Sequence, residues 1–68
     1  MMHEQLIQFI HKKVKLFFDV GYGNNYVYCG EVLDINSETL TLLDRKIGRT
    51  LLSNERITQI YEFNEGNQ

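Results

Sequence analysis

Proline and tryptophan are absent from this 68-residue chain, cysteine occurs once, and the positive charges are outnumbered by the negative ones, seven to nine. No apolar run approaches the ~20 residues that a membrane-spanning helix requires. The lone Cys29 excludes an internal disulfide and fits a reducing compartment. With no secretory signal and no lipidation motif, the expected location is the cytoplasm, with no membrane partner. The net charge of −2 and a pI near 5.5 exclude a surface that is basic throughout and built to collect nucleic acid. The chemistry of catalysis is also missing. His3 and His11 have no Cys, Ser or carboxylate at a diagnostic spacing, and Asp34, Glu38 and Asp44 sit around turns without forming a ligand series. No enzyme activity, metal or cofactor is expected. The flexible-looking Gly21-Tyr22-Gly23 lacks the further glycines and the following helix of a dinucleotide fingerprint, so GYGNN reads as a hairpin loop.

What the chain does contain is short strands and tight turns. From Tyr26 to Phe63 it reads YVYCGEVLDI, a turn at NSE, TLTLLD, a turn at RKIG, RTLL, a step at SNE, and RITQIYEF. Such a meander has to curl around one small core. Before it, VKLFFDV alternates, with Val14, Leu16 and Phe18 on one face and Lys15, Phe17 and Asp19 on the other. Phe17 has two readings: packed under the N-terminal helix, or exposed to a partner. That helix is expected over about 3–13, where Leu6, Ile10 and Val14 repeat at four-residue intervals and Met2, Ile7 and Phe9 widen the apolar arc. Glu4 would lie in its first turn and Lys12 and Lys13 in its last, as the helix dipole favours. Three turns are too few to be stable alone, so the helix should dock on the open end of the sheet.

Several single residues carry further expectations. Gly30 interrupts a β-rich run and predicts a bend or a close backbone approach. Gly48 should take positive φ at the end of the RKIG turn. Leu40 and Leu42 should point inward, followed by Leu51 or Leu52. Ile57 and Ile60 are three apart, which breaks the period of two and requires a bulge or a helical step near Ser53-Asn54-Glu55, with Asn54 the expected left-handed residue. Cys29 is expected to be a small buried thiol, and the polar tail beyond Phe63 should be frayed.

The fold class is therefore mainly β: a short N-terminal α-helix, then a five-stranded, strongly bent antiparallel small β-barrel, in one domain with the barrel over about 14–63 and a tail over 64–68. The order of elements resembles the Sm-like family, which includes the Sm proteins, the archaeal Sm-like proteins and the bacterial Sm-like RNA chaperone. Gly30-Glu31-Val32 is similar to the Gly-x-apolar element of that family's first motif, with Asp34 and Asn36 near its Asp and Leu40, Leu42 and Leu43 as its apolar third strand. The second motif aligns without a gap to Leu51 through Ile60. In the family, the corner of that motif carries Arg-Gly or Lys-His and helps to hold bases around a ring pore. The matching corner here is Ser53-Asn54 or Asn54-Glu55, so the positive charge is replaced by polar and acidic groups.

The resemblance implies a binding module that assembles by pairing the fourth strand of one copy with the fifth of the next, and single-stranded RNA as its partner. The residues that would contact RNA are Asn36, Ser37 and Asn54, with the basic Arg45, Lys46 and Arg49, while tyrosines stack on bases. The alternative is a structural or protein-interaction barrel that has lost the RNA-binding corner and uses its helix or strand edges to bind a protein or itself. Charge is uneven along the chain: Lys12, Lys13 and Lys15 against Glu4 leave residues 1–15 at +2, and the rest at −4.

Overall fold

The computed structural model describes residues 1–63. A single helical turn, α1 (His3–Leu6), runs into a 3-10 turn at Ile7–Phe9. Five strands follow: β1 (Lys13–Gly21), β2 (Asn24–Ile35), β3 (Thr39–Asp44), β4 (Gly48–Ser53) and, after a 3-10 turn at Asn54–Arg56, β5 (Ile57–Glu62). All pair antiparallel in one sheet of order β4-β3-β2-β1-β5. The outermost strands nevertheless contribute to one core. Leu52 of β4 and Ile57 of β5 belong to the same buried cluster as Val14, Leu16, Val32, Leu40, Leu42 and Leu6. A sheet whose two edges share a core has to be strongly bent, as the meander implied.

The bend has identifiable causes. Gly30 is buried, and a Cβ there would overlap the carbonyl group of Leu43 and lie 3.0 Å from the Asp44 Cα. Only a residue without a side chain lets β3 approach β2 so closely. Register shifts at Val32/Asp34 in β2 and, opposite Phe17/Phe18, at Ile57/Gln59 in β5 add twist at two further places. The 3-10 step at Asn54–Arg56 then turns the chain from β4 into β5, and the three-residue spacing of Ile57 and Ile60 is taken up inside β5, where Thr58 is the extra residue opposite Phe17 and Phe18.

Four expectations are corrected. The helix stops far short of residue 13, because the backbone of residues 11 and 12 pairs with β2 instead: the His11 N–H donates to the Val32 carbonyl (2.8 Å) and the Val32 N–H to the Lys12 carbonyl (3.0 Å). His11 takes φ 66° to make that exit. Lys12 and Lys13 thus cap no helix, and Met2 and Ile7 are exposed while Leu6 alone is fully buried. Tertiary pairing outweighs the helical propensity of a segment too short to propagate. Phe17 does not pack under the helix; it lies in register with Val27 and Gln59, its ring 6.4 Å from that of Tyr61. Asn54 is not left-handed. The non-glycine residues at positive φ are His11 and Tyr22, and Asn54 is instead buried within the 3-10 step. Cys29 is half-buried rather than enclosed. Between Leu51 and Leu52 the inward residue is Leu52, and Gly48 does take positive φ, at 85°. The expectation of a frayed tail over 64–68 lies outside the described residues.

The β1–β2 loop is tighter than GYGNN suggested. Gly21 pairs with Asn24, leaving Tyr22 and Gly23 as a two-residue turn at φ 55° and 74°. Positive φ at both central residues is the type I′ geometry that suits hairpin twist, and Asn-Gly is its preferred sequence. Tyr22 is fully exposed, so its ring offsets none of the strain of a left-handed aromatic residue. Tyr22→Asn should therefore raise stability by about 0.5–1 kcal/mol, read as a higher urea midpoint at unchanged slope.

Candidate functional site

The turn chemistry at each end of β3 determines where the six candidate residues fall. At one end, Asn36 closes the β2–β3 turn: its Oδ1 accepts from the Glu38 and Thr39 N–H groups, each at 2.8 Å. Asn54, in the β4–β5 step, donates from Nδ2 to the Asn36 carbonyl (2.8 Å), and its N–H donates to the Glu38 carbonyl (2.9 Å). These bonds fasten the two connections side by side, so Asn36, Ser37 and Asn54 share one corner although 36 and 54 are far apart in sequence. Their roles differ, however. Ser37 is exposed, whereas Asn54 is 4% exposed and spends its amide on holding the corner. The N-terminal segment completes the same corner: the Met1 nitrogen donates to the carbonyls of Asn54 (2.6 Å) and Ile57 (3.3 Å).

Arg45 and Lys46 lie at the opposite end of β3, separated from that corner by a strand of six residues, about 20 Å long. Arg49 stands beside them on β4, in register with Leu43. The six residues therefore form two groups, not one surface. The basic turn is organised by Asp44, a residue marked in the sequence only as adjoining a turn. Asp44, 7% exposed, accepts from the Lys46 and Ile47 N–H groups on Oδ2 (2.9 and 3.1 Å) and from the Cys29 N–H on Oδ1 (3.3 Å). An Asp preceding a turn that ends in Gly is the available signal, since a carboxylate there accepts the turn's own N–H groups.

Two recesses flank this basic turn. One, of about 250 Å³, is lined by Tyr26, Val27, Cys29, Asp44, Arg45 and Lys46. The other, of about 470 Å³, lies between Lys13, Glu31, Arg45 and Phe63, with the Arg45 guanidinium 5.9 Å from the Phe63 ring centre. Tyr26 is half-exposed and edge-on to Tyr28, 4.6 Å between ring centres. Its place beside Arg45 and Lys46 follows from register: Gly30 pairs with Asp44, and the Arg45 N–H continues the ladder to the Cys29 carbonyl (3.0 Å). Sequence distance conceals that pairing.

The Tyr28 phenol titrates above its ordinary range. Burial raises its phenol above the ordinary 10.0, and the neighbouring Tyr26 and Asp44 raise it further. The folded state then holds this proton to higher pH than the unfolded chain does. Below pH 10 both states are protonated and stability is insensitive to it; as pH rises past that point the unfolded state ionises first and stability falls. Wild type should therefore lose more stability than Tyr28→Phe between neutral and strongly alkaline pH, as measured by urea denaturation at a series of pH values.

The two ends differ in charge. Glu4, Glu38 and Glu55 surround the Asn36–Asn54 corner, whereas the far turn carries Arg45, Lys46 and, nearby, Arg49. Among the described residues no group of His, Cys, Asp and Glu side chains is placed to hold a metal ion, and no helix is long and apolar enough to cross a membrane. No protein-family model matches this chain, and neither a curated protein nor a solved structure matches it.

Proposed function

We propose that this chain is a non-catalytic, Sm-like binding module that works by self-association through its strand edges, in the cytoplasm, as a protein-interaction barrel. The observation that carries this reading is the sheet order: β4 and β5 are the two edges, adjacent in sequence yet at opposite margins of the sheet. Each edge strand offers a row of backbone donors and acceptors, and pairing β4 of one copy with β5 of the next satisfies both rows at once. Leu51 on β4 and Tyr61 on β5 add apolar surface, 65% and 42% exposed. A small domain gains from such pairing, because one of this size buries only ~60% of its unfolded surface. Light scattering across a concentration series is the test. A particle several times the monomer mass, reduced toward the monomer by Leu51→Lys, is expected; monomer mass at every concentration would overturn the assembly.

Single-stranded RNA is the second reading, and one observation favours it: the half-exposed Tyr26 beside Arg45 and Lys46 couples a stacking face to two cations. The RNA would then sit at the basic turn, with Arg49 nearby, rather than at Asn36, Ser37 and Asn54, where Glu38 and Glu55 oppose phosphates. Titration with oligo-U and oligo-A at two salt concentrations decides it. Salt-sensitive binding lost in an Arg45→Gln/Lys46→Gln variant supports RNA, and no binding at micromolar protein removes it.

A further inference from the structure

The β1–β2 hairpin reaches past the end of β3, and the part of β2 left over is an open strand edge. β3 pairs with β2 only from Gly30 onward, and the Arg45 N–H adds one more rung at the Cys29 carbonyl (3.0 Å) before the RKIG turn leads the chain away. Residues 24–28 are held by β1 alone. Backbone groups alternate sides along a strand, and the β1–β2 register is unbroken from Glu31 to Asn25, so Val27 and Asn25 direct their N–H and C=O as Cys29 does, away from β1. Among the described residues nothing pairs with them there. Exposed edges are ordinarily blunted by a charge, a proline or a bulge, and β4 and β5 carry Arg49 and Glu62. Asn25-Tyr26-Val27-Tyr28 has no such device.

We infer that this edge takes up an extended, acidic segment of a partner polypeptide, which joins the sheet as a short strand in line with β3. A row of alternating backbone donors and acceptors is matched by another strand, and a nucleic acid has no such row to offer. The flanking side chains suit apolar residues in the added strand, since Val27 is 41% exposed on one face of β2 and Tyr26 44% on the other. The turn supplies the charge. Arg45 and Lys46 line the recess of about 250 Å³ at the end of this edge and are both exposed, while the Asp44 carboxylate beside them is buried and already accepts the N–H groups of Cys29, Lys46 and Ile47. A carboxylate at the end of the added strand therefore meets Lys46. The site uses neither β4 nor β5, so it does not depend on the self-association that light scattering tests.

The experiment is amide hydrogen exchange and heteronuclear NMR titration of the full chain with a blocked peptide of alternating valine and threonine flanked by glutamates. Without peptide, the Val27 N–H should exchange about tenfold faster or more than those of Tyr26 and Tyr28, which face β1. The peptide should slow it and shift Asn25, Val27, Cys29 and Lys46 saturably. Val27→Pro removes the donor on the open side, where an edge strand tolerates proline, and should abolish binding. Lys46→Gln, an exposed change, should keep the dispersed spectrum and weaken binding about twofold to fivefold, as exposed ion pairs allow. A Val27 amide as protected as that of Tyr28 in dilute protein, no slowing by the peptide, or unchanged affinity in both variants would overturn the proposal. Equal binding of a lysine-flanked peptide would overturn the acidic partner. Val27 protection that grows with protein concentration alone would put a second copy on this edge instead, and oligo-U slowing the same amide would overturn the polypeptide.

Discussion

Gly30→Ala should leave the chain without a folded baseline in a thermal or urea melt followed by circular dichroism. The added methyl group meets the Leu43 carbonyl inside van der Waals contact, and that carbonyl cannot move aside without pulling Leu43 and Asp44 out of register with Glu31 and Gly30. Overpacking a core typically costs about 1–3 kcal/mol, and more when backbone rather than a side chain must shift. Total stability, at about 0.05–0.15 kcal/mol per residue, is roughly 3–10 kcal/mol for a chain of this length, so one methyl group consumes much of it. A cooperative melt with a midpoint near that of wild type would show that β2 and β3 can separate at Gly30, and that the bend has another origin.

Leu52→Ala and Leu51→Ala make the second large contrast, because the same substitution is placed on consecutive residues of one strand. Leu52 is 2% exposed and packs in the cluster shared with Ile57 and Leu40, while Leu51 is 65% exposed. The first should cost about 2–5 kcal/mol, the usual range for a buried leucine, and the second within about 0.5 kcal/mol. Urea midpoints measured at a concentration where wild type and variants have the same mass separate this effect from any contribution of assembly. Equal losses for the two variants would mean that the strand's inward face is misassigned.

Much of the architecture was legible because alternation and turn chemistry are local. Val14 and Leu16, Leu40 and Leu42 announced their faces by period two, and the spacing of Ile57 and Ile60 announced an irregularity, which lies at Thr58 inside β5 and not at Asn54. The exit of the N-terminal helix was not legible. Leu6, Ile10 and Val14 continue a helical repeat through residues 11 and 12, whose backbone is claimed by Val32, a partner about 20 positions away. The candidate site divided for a similar reason. Asn36 and Asn54 read separately as turn residues, and the hydrogen bond from the Asn54 side-chain amide to the Asn36 carbonyl depends on the bend. Arg45, Lys46 and Arg49 attach to a different end of β3, and Tyr26 and Asp44 join them only through the β2–β3 register. Residue type marked these positions as polar or charged; which of them meet is a property of the pairing.

The sheet order has a consequence for the sequence of events in folding. Each of the pairs β1–β2, β2–β3 and β3–β4 joins strands adjacent in the chain, and each can form as a local hairpin once its turn is made. The β1–β5 pair is different, since bringing Leu16 opposite Ile60 closes a loop that contains most of the molecule, and that entropy must be surrendered before any contact is gained. Docking of β5 is therefore the natural late step of folding and, in reverse, the first to open. The margin proposed to pair with another copy is also the margin held to its own fold by a single neighbouring strand.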